Sequence, residues 1–186
     1  MLVLLIAVAL AGCNRPAAGP TATAAPAASA PTPAADGGQT TVLFDAAKDA
    51  TAGAHRAVVP DPFGGQGDVL AGVLGHHQEQ QLVLVNGQGF FTVPADRKGC
   101  SVVFRLAVTG PRGVRIVFST SGQSVSYSTT VPDEGKWCDV SVPLSTVADR
   151  LGAGNKVFDI TLFQKDLSGK ARLYLQRIAL TAKPAP

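Results

Sequence analysis

Three histidines, three cysteines and thirteen acidic residues are the groups in this chain that could hold a metal, attack a substrate or move a proton. His76 and His77 stand side by side in GHHQEQ, with Glu79 two residues on. Adjacent side chains on an extended chain point to opposite faces, so the two imidazoles rarely share one ion. The stretch reads as an exposed polar loop. Neither G-x-S-x-G nor H-E-x-x-H occurs. Gly64-Gly65-Gln66-Gly67 lacks the Lys-Ser/Thr that would make it a phosphate loop, and it too reads as a loop. A glycosidase needs two carboxylates in one cleft. Asp133-Glu134 sits beside Gly135 in a turn, where solvated acids belong, and nothing pairs Asp159 or Asp166 with a second acid. No catalytic residue and no metal ligand is assigned, and the chain is read as a non-enzyme.

Hydroxyls offer a different chemistry. In FSTSGQSVSYSTT, Ser124, Ser126, Ser128 and Thr130 fall on one face of a strand, opposite Val125 and Tyr127. Such a face can hydrogen-bond a glycan, and it can equally be a solvated sheet surface. Aromatic residues make up only 6% of the chain. Parity sends Phe44, Phe104, Phe118 and Tyr127 inward and leaves Phe63, Phe90, Phe91 and Tyr174 unassigned. The net charge of +3 is scattered, with Arg97-Lys98 the only adjacent basic pair, so no basic stripe for nucleic acid exists.

Short runs of period two must position these groups. Val42 and Phe44 alternate, and Leu82 to Val85 precede the turn signal Asn86-Gly87. Val102, Phe104, Leu106 and Val108 alternate, then Val114, Ile116 and Phe118, then Val125 and Tyr127. Val140, Val142 and Leu144 follow, then Ile160 and Leu162, then Leu173 and Leu175, with Ile178 and Leu180 beyond a bulge. About ten strands at this spacing predict an all-β antiparallel β-sandwich. One short helix is expected in STVADRLG, capped by Ser145 and stopped by Gly152.

The N-terminal part is different in kind. Residues 2–12 are uncharged and apolar, about half the ~20 residues of a membrane-spanning helix, and they fit the apolar region of a secretory signal. The basic residue expected ahead of it is missing, which points to a translation start upstream of Met1. Leu10-Ala11-Gly12-Cys13 resembles the bacterial lipobox. That resemblance implies cleavage before Cys13, lipid on its thiol, and an exported protein anchored to a bacterial membrane, inner or outer. Residues 14–38 are rich in Ala, Pro, Thr and Ser and predict an extended, disordered tether. The expected organisation is signal peptide 1–12, lipidated Cys and linker 13–38, and sandwich 39–183.

Gly135-Lys136-Trp137-Cys138-Asp139-Val140-Ser141-Val142-Pro143-Leu144, FDITLFQKDLSGKARLYLQRIAL over 158–180 and TVLFDAAKD over 41–49 resemble strands of galactose-binding-like jelly rolls, a fold shared by many carbohydrate-binding modules. The resemblance covers about a third of the domain. It implies a jelly roll and suggests a non-catalytic glycan-binding role. An adaptor lipoprotein binding another envelope protein, or a glycan-acting enzyme, are the other readings. Many relatives hold a structural calcium with an Asp in the closing strand. Gln176 stands there instead, a poorer ligand for a hard cation, and Asp45 alone cannot build the site, so no cofactor is expected. With Cys13 lipidated, Cys100 and Cys138 remain. Export favours a disulfide between them, with two separate buried thiols as the alternative.

Overall fold

The structure, a computed structural model, describes residues 38–75, 78–166 and 168–182. Cys13 and its flanking signal and tether lie outside the described residues, as do His76 and His77. Twelve strands are formed: β1 (Gln39–Asp45), β2 (Arg56–Pro60), β3 (Asp68–Leu74), β4 (Glu79–Val85), β5 (Phe91–Thr92), β6 (Cys100–Thr109), β7 (Gly113–Ser119), β8 (Ser124–Thr130), β9 (Cys138–Pro143), β10 (Lys156–Val157), β11 (Asp159–Lys165) and β12 (Arg172–Ala182). Among the described residues two helices join them, α1 (Ala46–Asp49) and α2 (Leu144–Leu151).

All the strand pairings are antiparallel. The large sheet runs β8-β7-β11-β4-β3-β12-β6-β9, with β1 also on β12 and β2 on β3. β3 is the seam. Its first half pairs with β2 and β12, and its end, Val73 and Leu74, pairs with Gln81 and Gln80 of β4. The sheet thereby folds over into two layers, β4-β11-β7-β8 against the layer around β12 and β6. Alternation supplies the filling. Leu82, Leu84, Ile116, Phe118, Ile160 and Leu162 point in from one layer, and Phe104, Leu106, Leu173 and Leu175 from the other, all buried. Phe104 and Phe118 meet across the interior with ring centroids 6.0 Å apart.

Two expectations need correcting locally. Val42 does not share the face of Phe44. The register shifts between them, and Val42 is 53% exposed while Phe44 is buried. An extra residue in a bulged strand inverts parity from that point. Helix α2 starts two residues early, at Leu144, with Pro143 as its N-cap and no side-chain cap from Ser145. Its stop is at Gly152, whose φ of 75° suits glycine alone among common residues. The bulge in the closing strand is present, between Leu175 and Arg177 of β12.

Cys100 and Cys138 are free thiols rather than a disulfide. β6 and β9 are neighbours, but Cys138 lies across from Leu106, six residues along β6 from Cys100. At about 3.3 Å per residue the two sit ~20 Å apart, far beyond the ~7 Å a bridge tolerates. Each begins its own strand, and antiparallel pairing sends the two beginnings to opposite ends.

Candidate functional site, the outer face of the β4-β11-β7-β8 layer

Register places side chains on this face in rows that cross four strands. Gln81 pairs with Phe163, Phe163 with Arg115, and Arg115 with Ser128. The next row is Val83, Thr161, Val117 and Ser126, and the third is Val85, Asp159, Ser119 and Ser124. With strands ~4.8 Å apart, each row spans about 14 Å. Ser124, Ser126, Ser128 and Thr130 are all exposed along the outer strand, so the hydroxyls picked out by alternation do share one face. Ser124 Oγ donates to Ser119 Oγ at 2.9 Å, tying the first of them to β7.

The middle of the face carries what the sequence reading missed. The Arg115 guanidinium lies 4.3 Å from the centroid of the Phe163 ring. Its Nη2 donates to Glu79 Oε2 at 3.3 Å. Lys165, across from Glu79 in the register, is exposed. These groups border a recess of about 340 Å3 that Pro111 and Phe163 also line. Alternation could have found Phe163, because Ile160 and Leu162 point inward and force Phe163 out.

The remaining aromatic residues have settled roles. Phe91 is buried and Phe90 packs on the core. Phe63 sits edge-on to both Trp137 and Tyr174, with centroids 5.7 and 5.5 Å away. Trp137 Nε1–H donates to both oxygens of Asp61, at 3.2 and 3.1 Å. The PFGGQG loop, 62–67, therefore plugs the outside of the β12 layer. Tyr174 there is flanked in register by Ala71 and Ala107, small enough to leave room for Phe63.

Gln176, at the β12 bulge, accepts from Arg105 Nε at 2.9 Å, and Asp45 Oδ1 caps α1 by accepting from Ala47 N–H. Glu134 accepts from Gly110 N–H. The acids of the outer face, Glu79 and Asp159, are six residues apart in register, or about 20 Å. A glycosidic bond needs its two carboxyls within about 10 Å, so this pair cannot flank one. Asp166 is paired with an amide rather than with a second acid. It is 1% exposed and accepts from Gln80 Nε2 at 3.0 Å.

No protein-family model and no curated protein matches the chain. Solved structures do. A family 11 carbohydrate-binding module from Clostridium thermocellum, in complex with a β-1,3-1,4-mixed-linked tetrasaccharide, superposes with a TM-score of 0.52 at 14% identity, covering 80% of this chain and 98% of that one. A family 30 carbohydrate-binding module gives 0.54 at 13% identity, covering 77% and 99%. The fold is a jelly-roll β-sandwich. An exo-β-agarase matches the sandwich with a TM-score of 0.54 at 13% identity, but over 25% of its own length. At these identities the likeness shows the jelly roll alone. What the sandwich does must come from its own surface.

Proposed function

We propose that this chain is a non-catalytic carbohydrate-binding protein whose platform is the outer face of β4, β11, β7 and β8. The carrying observation is the row Gln81, Phe163, Arg115 and Ser128, which places an aromatic ring among amide, guanidinium and hydroxyl donors. Sugar recognition needs that mixture: an apolar surface for the ring face and convergent polar groups for its hydroxyls. The modules of similar fold, one of them in complex with a tetrasaccharide, support the reading. The lipobox-like LAGC adds a second part to it, with Cys13 lipid-anchored to a bacterial membrane and the Pro/Ala-rich segment as tether. An adaptor would display a contiguous apolar patch. Among the described residues the large exposed hydrophobics are Val42, Leu74 and Val85, each on a different strand.

A glycan array probed with the full chain in detergent tests the platform. Binding to a sugar class that Ser128→Ala and Gln81→Ala weaken is the expected result. A chain that is folded by circular dichroism and binds no glycan sinks the reading. The anchor is tested separately: Cys13→Ser is expected to abolish metabolic labelling with palmitate.

A further inference from the structure

The Phe163 ring is not a bare stacking surface, because Arg115 lies over it. A guanidinium carries five N–H donors, and contact with a ring face leaves them available to other acceptors. Nη2 of Arg115 is engaged by Glu79, while Nε and Nη1 donate to no protein group among the described residues. Lys165 adds a second cation at the same recess, in no ion pair among the described residues. Two cations and one carboxylate thus line the recess together with Pro111 and Phe163. A neutral sugar seated there can accept hydrogen bonds from Lys165 and Arg115 but leaves their charge without a counter-charge. A sugar bearing a carboxylate or sulfate gives Arg115 a planar or tetrahedral oxyanion for paired hydrogen bonds and gives Lys165 a counter-charge. The volume of about 340 Å3 lies at the small end of ligand sites, enough for a short stretch of glycan.

We propose that this recess takes an acidic sugar unit, with Lys165 and Arg115, the latter held on the Phe163 ring, pairing its anionic group and Pro111 bordering its ring. The inference rests on the outer face being the glycan platform.

Titration of the full chain in detergent with oligogalacturonate, its carboxyl-reduced neutral counterpart, and a sulfated galactan oligosaccharide tests it. Tighter binding of either acidic probe than of the neutral one supports the inference, and the two acidic arms separate carboxylate from sulfate. Arg115→Gln and Lys165→Gln are each expected to weaken acidic binding about ten- to hundredfold. Lys48→Gln and Arg150→Gln, exposed cations elsewhere, control for diffuse attraction to the positive chain. Equal losses in those controls overturn the inference. Neutral binding equal to or tighter than acidic also overturns it while leaving the platform standing. Failure of all probes here and of the array removes both. Thermal melts of each variant establish that it is folded.

Discussion

Arg115 on β7 and Phe163 on β11 face each other directly across a pair of hydrogen-bonded strands, with the guanidinium 4.3 Å from the ring centroid. This contact fixes a long, otherwise mobile side chain at the centre of the face. A cation–π contact at an exposed site contributes about 0.5–1 kcal/mol. Phe163→Leu keeps apolar volume and removes the ring. The expected outcome is glycan binding weakened about two- to fivefold, the same range expressed as affinity, with a melting temperature close to wild type. Binding unchanged in F163L would show that Arg115 does not need the ring.

The thiols give a sharper test of the fold. Cys138 lies opposite Leu106, so the described register keeps it ~20 Å from Cys100. Peptide mapping after denaturation and alkylation without reductant is expected to show both residues modified. Dithiothreitol is expected to leave the melting temperature unchanged. A linked Cys100–Cys138 peptide would overturn the β6–β9 register itself.

Trp137 is the only tryptophan, so its fluorescence reports the plug of Phe63 and Asp61. Asp61 accepts both the indole N–H and the Phe63 backbone N–H. Asp61→Ala removes both bonds, an expected loss of roughly 1–2 kcal/mol, or about 3–6 °C in melting temperature, with red-shifted emission. Emission that stays put would mean that the loop holds its place through Phe63 packing alone.

Most of the core was legible because those strands bury one face. Phe104, Leu106, Ile116 and Leu162 follow period two, although Ala107 and Thr161 between inward-facing neighbours are buried as well. β3 was missed for the opposite reason: Val69, Leu70 and Ala71 are all buried, one side by the core and the other beneath neighbouring chain, so DVLAGVL shows no alternation. Val42 went wrong through a bulge, which no local residue type announces. The candidate site was half legible. The hydroxyl row follows from one strand's own pattern. The meeting of Phe163, Arg115 and Glu79 depends on three strands distant in sequence lying side by side, and periodicity does not reveal strand order. The burial of Asp166 was not legible because its partner, Gln80, stands on another strand.

That buried acid makes the last prediction. Burial pushes the Asp166 carboxyl up, but hydrogen bonds from Gln80, Ala171, Ser168 and Gly169 outweigh burial and bring it below its ordinary value of 3.8. A carboxyl lowered by folding stabilises the native state at every pH above 3.8, and the contribution disappears as pH falls through the lowered value. Asp166 also ties the β11–β12 connection to β4, since Gln80 of that strand donates to its carboxylate, and its backbone N–H donates to Gln78 O at 2.7 Å just before β4. Asp166→Asn keeps the shape and removes the charge, and it turns an amide N–H2 toward one of the groups that donate to the carboxylate. The variant is expected to melt below wild type by a constant margin from pH 5 to 8. The margin is expected to shrink below about pH 3.8, as wild type itself becomes protonated. Thermal unfolding followed by circular dichroism between pH 2.5 and 8 reads this directly. A margin that stays constant down to pH 2.5 would mean that the bonds to Asp166 do not depend on its charge.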